Sequence, residues 1–225
     1  ALEAVFPPRH KKDLVVTELP EEMLEAANYF LLVNAIRDLR GDMTEHRSMM
    51  VHVSRYTKVQ NQISEVLTVW LDQVKSDLQN YSQLSSSQAE KINTIHELHI
   101  VWDKYSLSTA AGIEWADVLR GYLHRAVAPI DVRAVNMQTG ATSLDYFNHR
   151  NDGLRVIAVG GNSLSRGLTL EGLCVSYFYR NTQMYDTLLQ MGRWFGYRPN
   201  YDDLVKIWMS QESIDWYSQI TRATN

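Results

Sequence analysis

The chain has 225 residues, of which 45% are hydrophobic and 21% charged, and its formal net charge is −4. These values are typical of a globular domain, and they exclude a disordered chain and a protein that coats nucleic acid by charge alone. Cys174 is the single cysteine, which excludes a disulfide framework and a cysteine-based zinc site and favours a reducing compartment. No apolar run is long enough for a membrane span, so we expect a cytoplasmic protein without membrane contact. Because Ala1 stands where a complete chain has Met, we also expect a piece of a longer polypeptide.

In the first third of the chain, we predict an arm followed by two helices and a strand. Residues 1–19 are predicted as an arm or linker, with a short strand over residues 13–18. A helix is predicted from Pro20 to Gly41, because proline is favoured in a first helical turn and glycine just after a last one. The apolar run over 49–53 predicts a strand, and a long helix is expected from about residue 58 to residue 78.

The rest of the chain divides into a helical part and a part in which strands alternate with helices. A serine-rich break precedes helical segments over 88–104 and 113–124, and we interpret residues 81–126 as a helical insertion. Strands are predicted over 130–135, 154–159, 174–179 and 204–209. Alternation of strands with helices predicts an α/β fold with a mainly parallel sheet, built from residues 20–80 and 127–225. In such a sheet, ligands bind at the carboxyl ends of the strands.

Residues 154–198 form the stretch that is richest in side chains with chemical roles. An apolar strand ends at Gly160 and Gly161, and adjacent glycines at a strand end allow a ligand or another backbone segment to come close. Farther on, Arg193 and Arg198 lie near the end of a predicted helix. Arginines in such a place typically neutralise a carboxylate or a phosphate.

Two segments in this stretch resemble motifs V and VI of superfamily-two helicases and translocases. They are GGNSLSRGLTLEG, residues 160–172, and QMGRWFGYR, residues 190–198. Their sequences are similar to those of the Z-one domain, the second RecA-like lobe of helicase-like proteins from bacterial restriction and defence operons. Proteins of this family are often labelled as endonucleases. MMVHVSRYTKVQNQI, residues 49–63, resembles motif IV more loosely. The resemblance implies a RecA-like, P-loop NTPase-type second helicase lobe.

The resemblance also implies which residues face ATP. Gly167 and Thr169 match the part of motif V that faces the ribose and phosphates, and Gln190 matches the nucleotide side of motif VI. Arg193 and Arg198 match arginine fingers, which neutralise charge on the transferred phosphoryl group. From the residues alone, both arginines could instead be structural, paired with acidic side chains of the same chain.

A second group of residues matches positions that contact the nucleic-acid backbone. Gly161, Asn162 and Ser163 match the phosphate-binding part of motif V, although threonine is usual at the place of Gly161. Ser54 and Arg55, just after a strand, suit a backbone-phosphate contact at motif IV. They equally suit a helix cap and a solvated charge.

The sequence has no GxxxxGK[ST] phosphate loop and no DEAD or DEAH acid box for magnesium. Phosphoryl transfer needs both, so the resemblance implies half of a motor. ATP and Mg²⁺ would be bound mainly by an amino-terminal RecA-like lobe of the same polypeptide, and an isolated fragment would be inactive. DNA is the implied partner, with a nuclease or methyltransferase subunit as a further one.

Two other function classes stay open from the sequence. The chain could be a metal-dependent endonuclease domain that cuts DNA itself, or a non-catalytic scaffold with the motor fold. Metal-dependent nucleases cluster acidic residues with a lysine around magnesium, and no such cluster is visible in this sequence. His96 and His99 stand three residues apart on a predicted helix, but they lack the HExxH pattern and a third ligand, so we predict no metal site.

Overall fold

A sheet of five parallel strands, in the order β2-β3-β1-β4-β5, forms the centre of the computed structural model. The structure describes residues 5–7, 10–136, 139, 143–161, 164, 169–178, 200–210 and 214–215. The strands are β1 (Arg47–His52), β2 (Asp131–Val135), β3 (Arg155–Gly160), β4 (Leu173–Phe178) and β5 (Lys206–Trp208). The sheet is flanked by helices, so the predicted α/β class is confirmed.

Two long helices pack on the sheet, and shorter ones follow them. They are α1 (Glu21–Leu39), α2 (Thr57–Tyr81), α3 (Ser86–Ala89), α4 (Asn93–Lys104), α5 (Leu107–Ala111), α6 (Trp115–Val118) and α7 (His124–Val127). A π-helical turn, Leu119–Leu123, joins α6 to α7. None of the helices in the described part of the chain has the length and apolar character that crossing a membrane requires.

Both faces of the sheet are buried at its central strands β1, β3 and β4, whose alternate side chains point to opposite sides. On β1, Met49 and Val51 join the large core under α1 and α2, whereas Met50 joins a second core on the other face. On β3, Ile157 joins the large core and Val156 joins the second core. The apolar runs of these strands are therefore explained by burial on two sides.

The predicted strands at 49–53, 130–135, 154–159, 174–179 and 204–209 are all confirmed, with ends that shift by at most two residues. The strand predicted over residues 13–18 is wrong. This segment runs along α2 without strand pairing, and the side chain of Gln62 binds its backbone. Gln62 Oε1 accepts the Val16 N–H at 2.9 Å, and Gln62 Nε2 donates to the Leu14 carbonyl at 3.0 Å. A side-chain amide therefore replaces a neighbouring strand as the partner.

The amino-terminal edge of the sheet contains a buried ion-pair network. Arg47 and Arg155 begin β1 and β3 and face each other in the strand register. Asp38, near the end of α1, binds both guanidinium groups, at 2.7 Å from Arg47 and at 2.8 and 3.0 Å from Arg155. Arg155 also donates to the carbonyl of Ala126 in α7. One aspartate therefore links α1 to two strands, and Arg155 links the helical segment to the same point.

Burial lowers the pKa of Arg47 to about 10, and the neighbouring Arg155 charge adds to the effect while Asp38 opposes it. Removing Asp38 would leave two buried positive charges without their counter-ion. We therefore expect Asp38→Ala to lower the free energy of unfolding by about 3–5 kcal/mol. Urea unfolding followed by circular dichroism would measure the loss.

Asp131→Ala is the matched control for Asp38→Ala, because Asp131 pairs with Arg133 at the surface. An exposed pair contributes at most about 1 kcal/mol. Similar losses of unfolding free energy in the two variants would show that the buried ion pairs of Asp38 contribute no more than an exposed pair.

Candidate functional site

The candidate site lies at the carboxyl end of β1, between its two neighbouring strands. β1 ends at His52, which is aligned with Gly160 at the end of β3 and Phe178 at the end of β4. The chain leaves β1 toward α2 on one face, whereas Leu164, after β3, belongs to the core of the opposite face. Connections that leave adjacent parallel strands toward opposite faces open a crevice at the carboxyl edge, which is the usual binding place in α/β sheets.

Ser54 is the buried centre of the turn between β1 and α2, with 1% of its surface exposed. Its hydroxyl accepts a hydrogen bond from the Tyr56 N–H at 3.1 Å, and its carbonyl accepts one from Gln60 Nε2 at 2.7 Å. His10 Nε2 lies 2.8 Å from the same hydroxyl. Ser54 therefore shapes the turn rather than presenting its hydroxyl to solvent.

Arg55, the next residue, is exposed at the tip of this turn. Its guanidinium donates to the Tyr56 hydroxyl at 2.8 Å and lies 4.9 Å from the centre of the Tyr56 ring. A guanidinium that stacks on an aromatic ring keeps other N–H groups available for a phosphate or carboxylate. The turn thus presents a cation whose orientation is restrained by its neighbour.

Gly161 brings the end of β3 against this turn. A Cβ atom at position 161 would lie 2.6 Å from Gln60 Nε2, 2.7 Å from the Ser54 carbonyl oxygen and 3.4 Å from Arg55 Cα. Glycine is therefore required here for close approach between two backbone segments. Ser54, Arg55 and Gly161, which the sequence analysis assigned to backbone-phosphate contact, lie together in the structure.

The remaining predicted site residues divide into two groups. Six lie outside the described residues: Asn162, Ser163, Gly167, Gln190, Arg193 and Arg198. Thr169 is exposed and lies two residues before Glu171, whose carbonyl accepts a hydrogen bond from the Ser48 hydroxyl near the start of β1. The length of β1, about 20 Å, separates that point from the Ser54 turn. The structure therefore does not bring Thr169 to Ser54, Arg55 and Gly161.

Two residues at this site were missed by the sequence analysis. Gln60 is 3% exposed and braces the Ser54 carbonyl from the first turn of α2. His10 is 6% exposed and reaches the Ser54 hydroxyl from 44 positions away in the sequence. The polar Gln60 among the buried residues of α2 was a usable signal, whereas nothing in the local pattern around His10 indicated a long-range contact.

His96 and His99 lie on α4, where both bind a carboxylate. Their Nδ1 atoms are 3.2 and 2.8 Å from the oxygens of Glu90, which also accepts a hydrogen bond from the Trp115 indole. His99 stacks on Trp115 with the ring centres 4.7 Å apart. Within the described ranges, no group of three or more histidine, cysteine, aspartate or glutamate residues is arranged to hold a metal ion.

Comparison with known proteins gives one match. The family model of the Z1 domain, the family called the Z-one domain above, matches residues 22–225. Neither the curated proteins nor the solved structures contain a significant match to this chain.

The contact distances at Gly161 predict a cost for any side chain there. We expect Gly161→Ala to lower the free energy of unfolding by about 1–3 kcal/mol, which is typical of overpacking, because a backbone carbonyl occupies the space. Gly121→Ala is the control, since a Cβ at position 121 would meet no atom within 4 Å. Denaturant unfolding of both variants would test this, and an unchanged stability for Gly161→Ala would contradict the described contact.

Proposed function

Since this chain belongs to the Z1 domain family, we propose that it is the carboxyl-side motor lobe of an ATP-dependent, helicase-like DNA translocase from a bacterial restriction or anti-phage system. The observation that supports this most is the contact of the Ser54–Arg55 turn with Gly161 at the carboxyl edge of a parallel sheet. These are the positions at which motifs IV and V of a RecA-like second lobe would meet a nucleic-acid backbone.

Two kinds of group would make the proposed DNA contact, a side-chain cation and backbone N–H groups. Arg55 is exposed and held on Tyr56, so its guanidinium would bind a backbone phosphate. Gly161 packs directly against the Arg55 turn, so the backbone N–H groups of residues 161–163 would come close to the same strand of DNA. Ser54 would act indirectly, because its hydroxyl is buried in the turn.

Nucleotide contacts form the other half of the proposal. ATP with its Mg²⁺ would be held mainly by the amino-terminal lobe, and this chain would add Gly167 and Gln190 beside the nucleotide. Thr169, which lies near Glu171 at the other end of β1, is not part of this proposed contact. Arg193 and Arg198 would place positive charge at the γ-phosphate as it is transferred, which accelerates hydrolysis without a large effect on ATP binding. Closure of the two lobes on ATP would move the Arg55 turn along the DNA backbone.

The proposed phosphate contact predicts a change in the salt dependence of DNA binding. In the natural full-length protein, Arg55→Ala should weaken binding to a fluorescent duplex about fivefold and lower the slope of log K against log salt by about 0.9, which corresponds to one lost phosphate contact. Fluorescence anisotropy at several salt concentrations would measure both quantities.

Arg125→Ala is the matched control for charge, because Arg125 is exposed beside Ala126, whose carbonyl binds Arg155 at the opposite edge of the sheet. It should leave the salt slope unchanged. Equal slopes for wild type, Arg55→Ala and Arg125→Ala would refute the DNA contact at this turn.

The arginine-finger assignment predicts a separate defect. Arg193→Ala or Arg198→Ala in the full-length protein should reduce DNA-stimulated ATP hydrolysis about a thousandfold or more and leave ATP affinity nearly intact. Phosphate release and binding of a fluorescent ATP analogue would be measured in parallel. Normal ATP turnover in both variants would refute the arginine-finger assignment. Metal-dependent DNA cleavage by the wild type without ATP would favour a nuclease function instead.

A further inference from the structure

His10 is a buried, titratable side chain to which the proposed function gives no role. It lies in the segment before α1, where Phe6 is fully buried in the main core and Gln62 holds the backbone at Leu14 and Val16. The imidazole therefore reaches the β1–α2 turn from a segment that is itself anchored. Its position at the site is fixed by packing rather than by a loose tail.

The hydrogen bonds of His10 define how it holds Ser54. Nδ1 lies 3.0 Å from the Pro7 carbonyl, which can only accept, so Nδ1 carries a hydrogen. In the neutral imidazole, Nε2 then accepts the Ser54 O–H at 2.8 Å. The Ser54 oxygen in turn accepts the Tyr56 N–H. The hydroxyl is therefore fixed on both sides, and the direction of the turn is fixed with it.

His10 also contacts the other neighbour of Arg55. Its ring meets the Tyr56 ring edge-on at an angle of 69°, with 6.0 Å between the centres, and Tyr56 supports the Arg55 guanidinium through its ring and its hydroxyl. One imidazole thus touches both residues that flank the exposed arginine. A side chain whose neighbours are locked loses less freedom when it binds a phosphate.

We propose that His10 is a positioning residue for the phosphate contact of Arg55, acting through Ser54 and Tyr56. This inference rests on the proposed function, because it assumes that Arg55 binds the DNA backbone. It adds a role for a residue that lies before the region matched by the family model, which begins at residue 22.

The test is a double-mutant cycle in the full-length protein, read by the salt slope of duplex binding. If His10 acts through Arg55, His10→Ala should weaken binding several-fold and lower the slope by about 0.9, as the loss of one phosphate contact does. His10→Ala combined with Arg55→Ala should then bind no more weakly than Arg55→Ala alone. Ser54→Ala removes the same hydrogen bond from the other side and should reproduce the His10→Ala result.

Thermal unfolding of each variant separates positioning from stability, and His96→Ala serves as the control because His96 is an exposed histidine on α4. A lower unfolding midpoint with an unchanged salt slope for His10→Ala and Ser54→Ala would overturn the inference and leave the Arg55 contact standing. Additive losses in the double variant would also overturn it. An unchanged slope for Arg55→Ala would instead refute the proposed DNA contact, and the role of His10 with it.

Discussion

Asp38 holds the first residues of two neighbouring strands, and the geometry of the opposite edge depends on that link. Because Asp38 binds both Arg47 and Arg155, β1 and β3 begin side by side in a fixed register. A slip by one residue would turn every buried side chain of a strand to the other face. With the start fixed, the two strands also end side by side, at His52 and Gly160. The turn after β1 and the residue after β3, Gly161, therefore start from neighbouring positions at the same edge of the sheet.

Close packing at Gly161 leaves no room for a side chain where the chain leaves β3. The Gln60 amide and the Ser54 carbonyl occupy the space in which a Cβ would lie. The same Gln60 side chain, from α2, holds the turn by a hydrogen bond of 2.7 Å to the Ser54 carbonyl. In the proposed motor, the contact of this segment with DNA would therefore come from backbone N–H groups and not from a side chain at position 161. The cation of the site would then come from Arg55, which the same turn presents to solvent.

The sequence was informative where physical constraints are local or periodic. Apolar runs located all five strands of the sheet: β1, β3 and β4 are almost entirely buried, and β2 and β5 pack Val132 and Trp208 against the main core. The meeting of Ser54, Arg55 and Gly161 was predictable, since the carboxyl ends of parallel strands share one edge. Contacts between residues far apart in the sequence were not predictable. The Gln62 amide binds residues 14–16 as a strand would, and His10 binds Ser54 from 44 positions away in the sequence. Neither contact leaves a periodic signal in its own segment.

The packing of residues 5–7 and 10–19 shows that the folded unit extends before α1. The quoted motifs and the family match all lie after Pro20. However, Phe6 and Val16 belong to the same core as α1 and α2. Removing them would expose apolar surface at the side of the sheet from which His10 supports the turn. Stability and site geometry are therefore coupled through one short segment. If Arg55 contacts DNA as proposed, the strength of that contact depends on residues that carry none of the motor motifs, because they fix the turn on which the arginine stands.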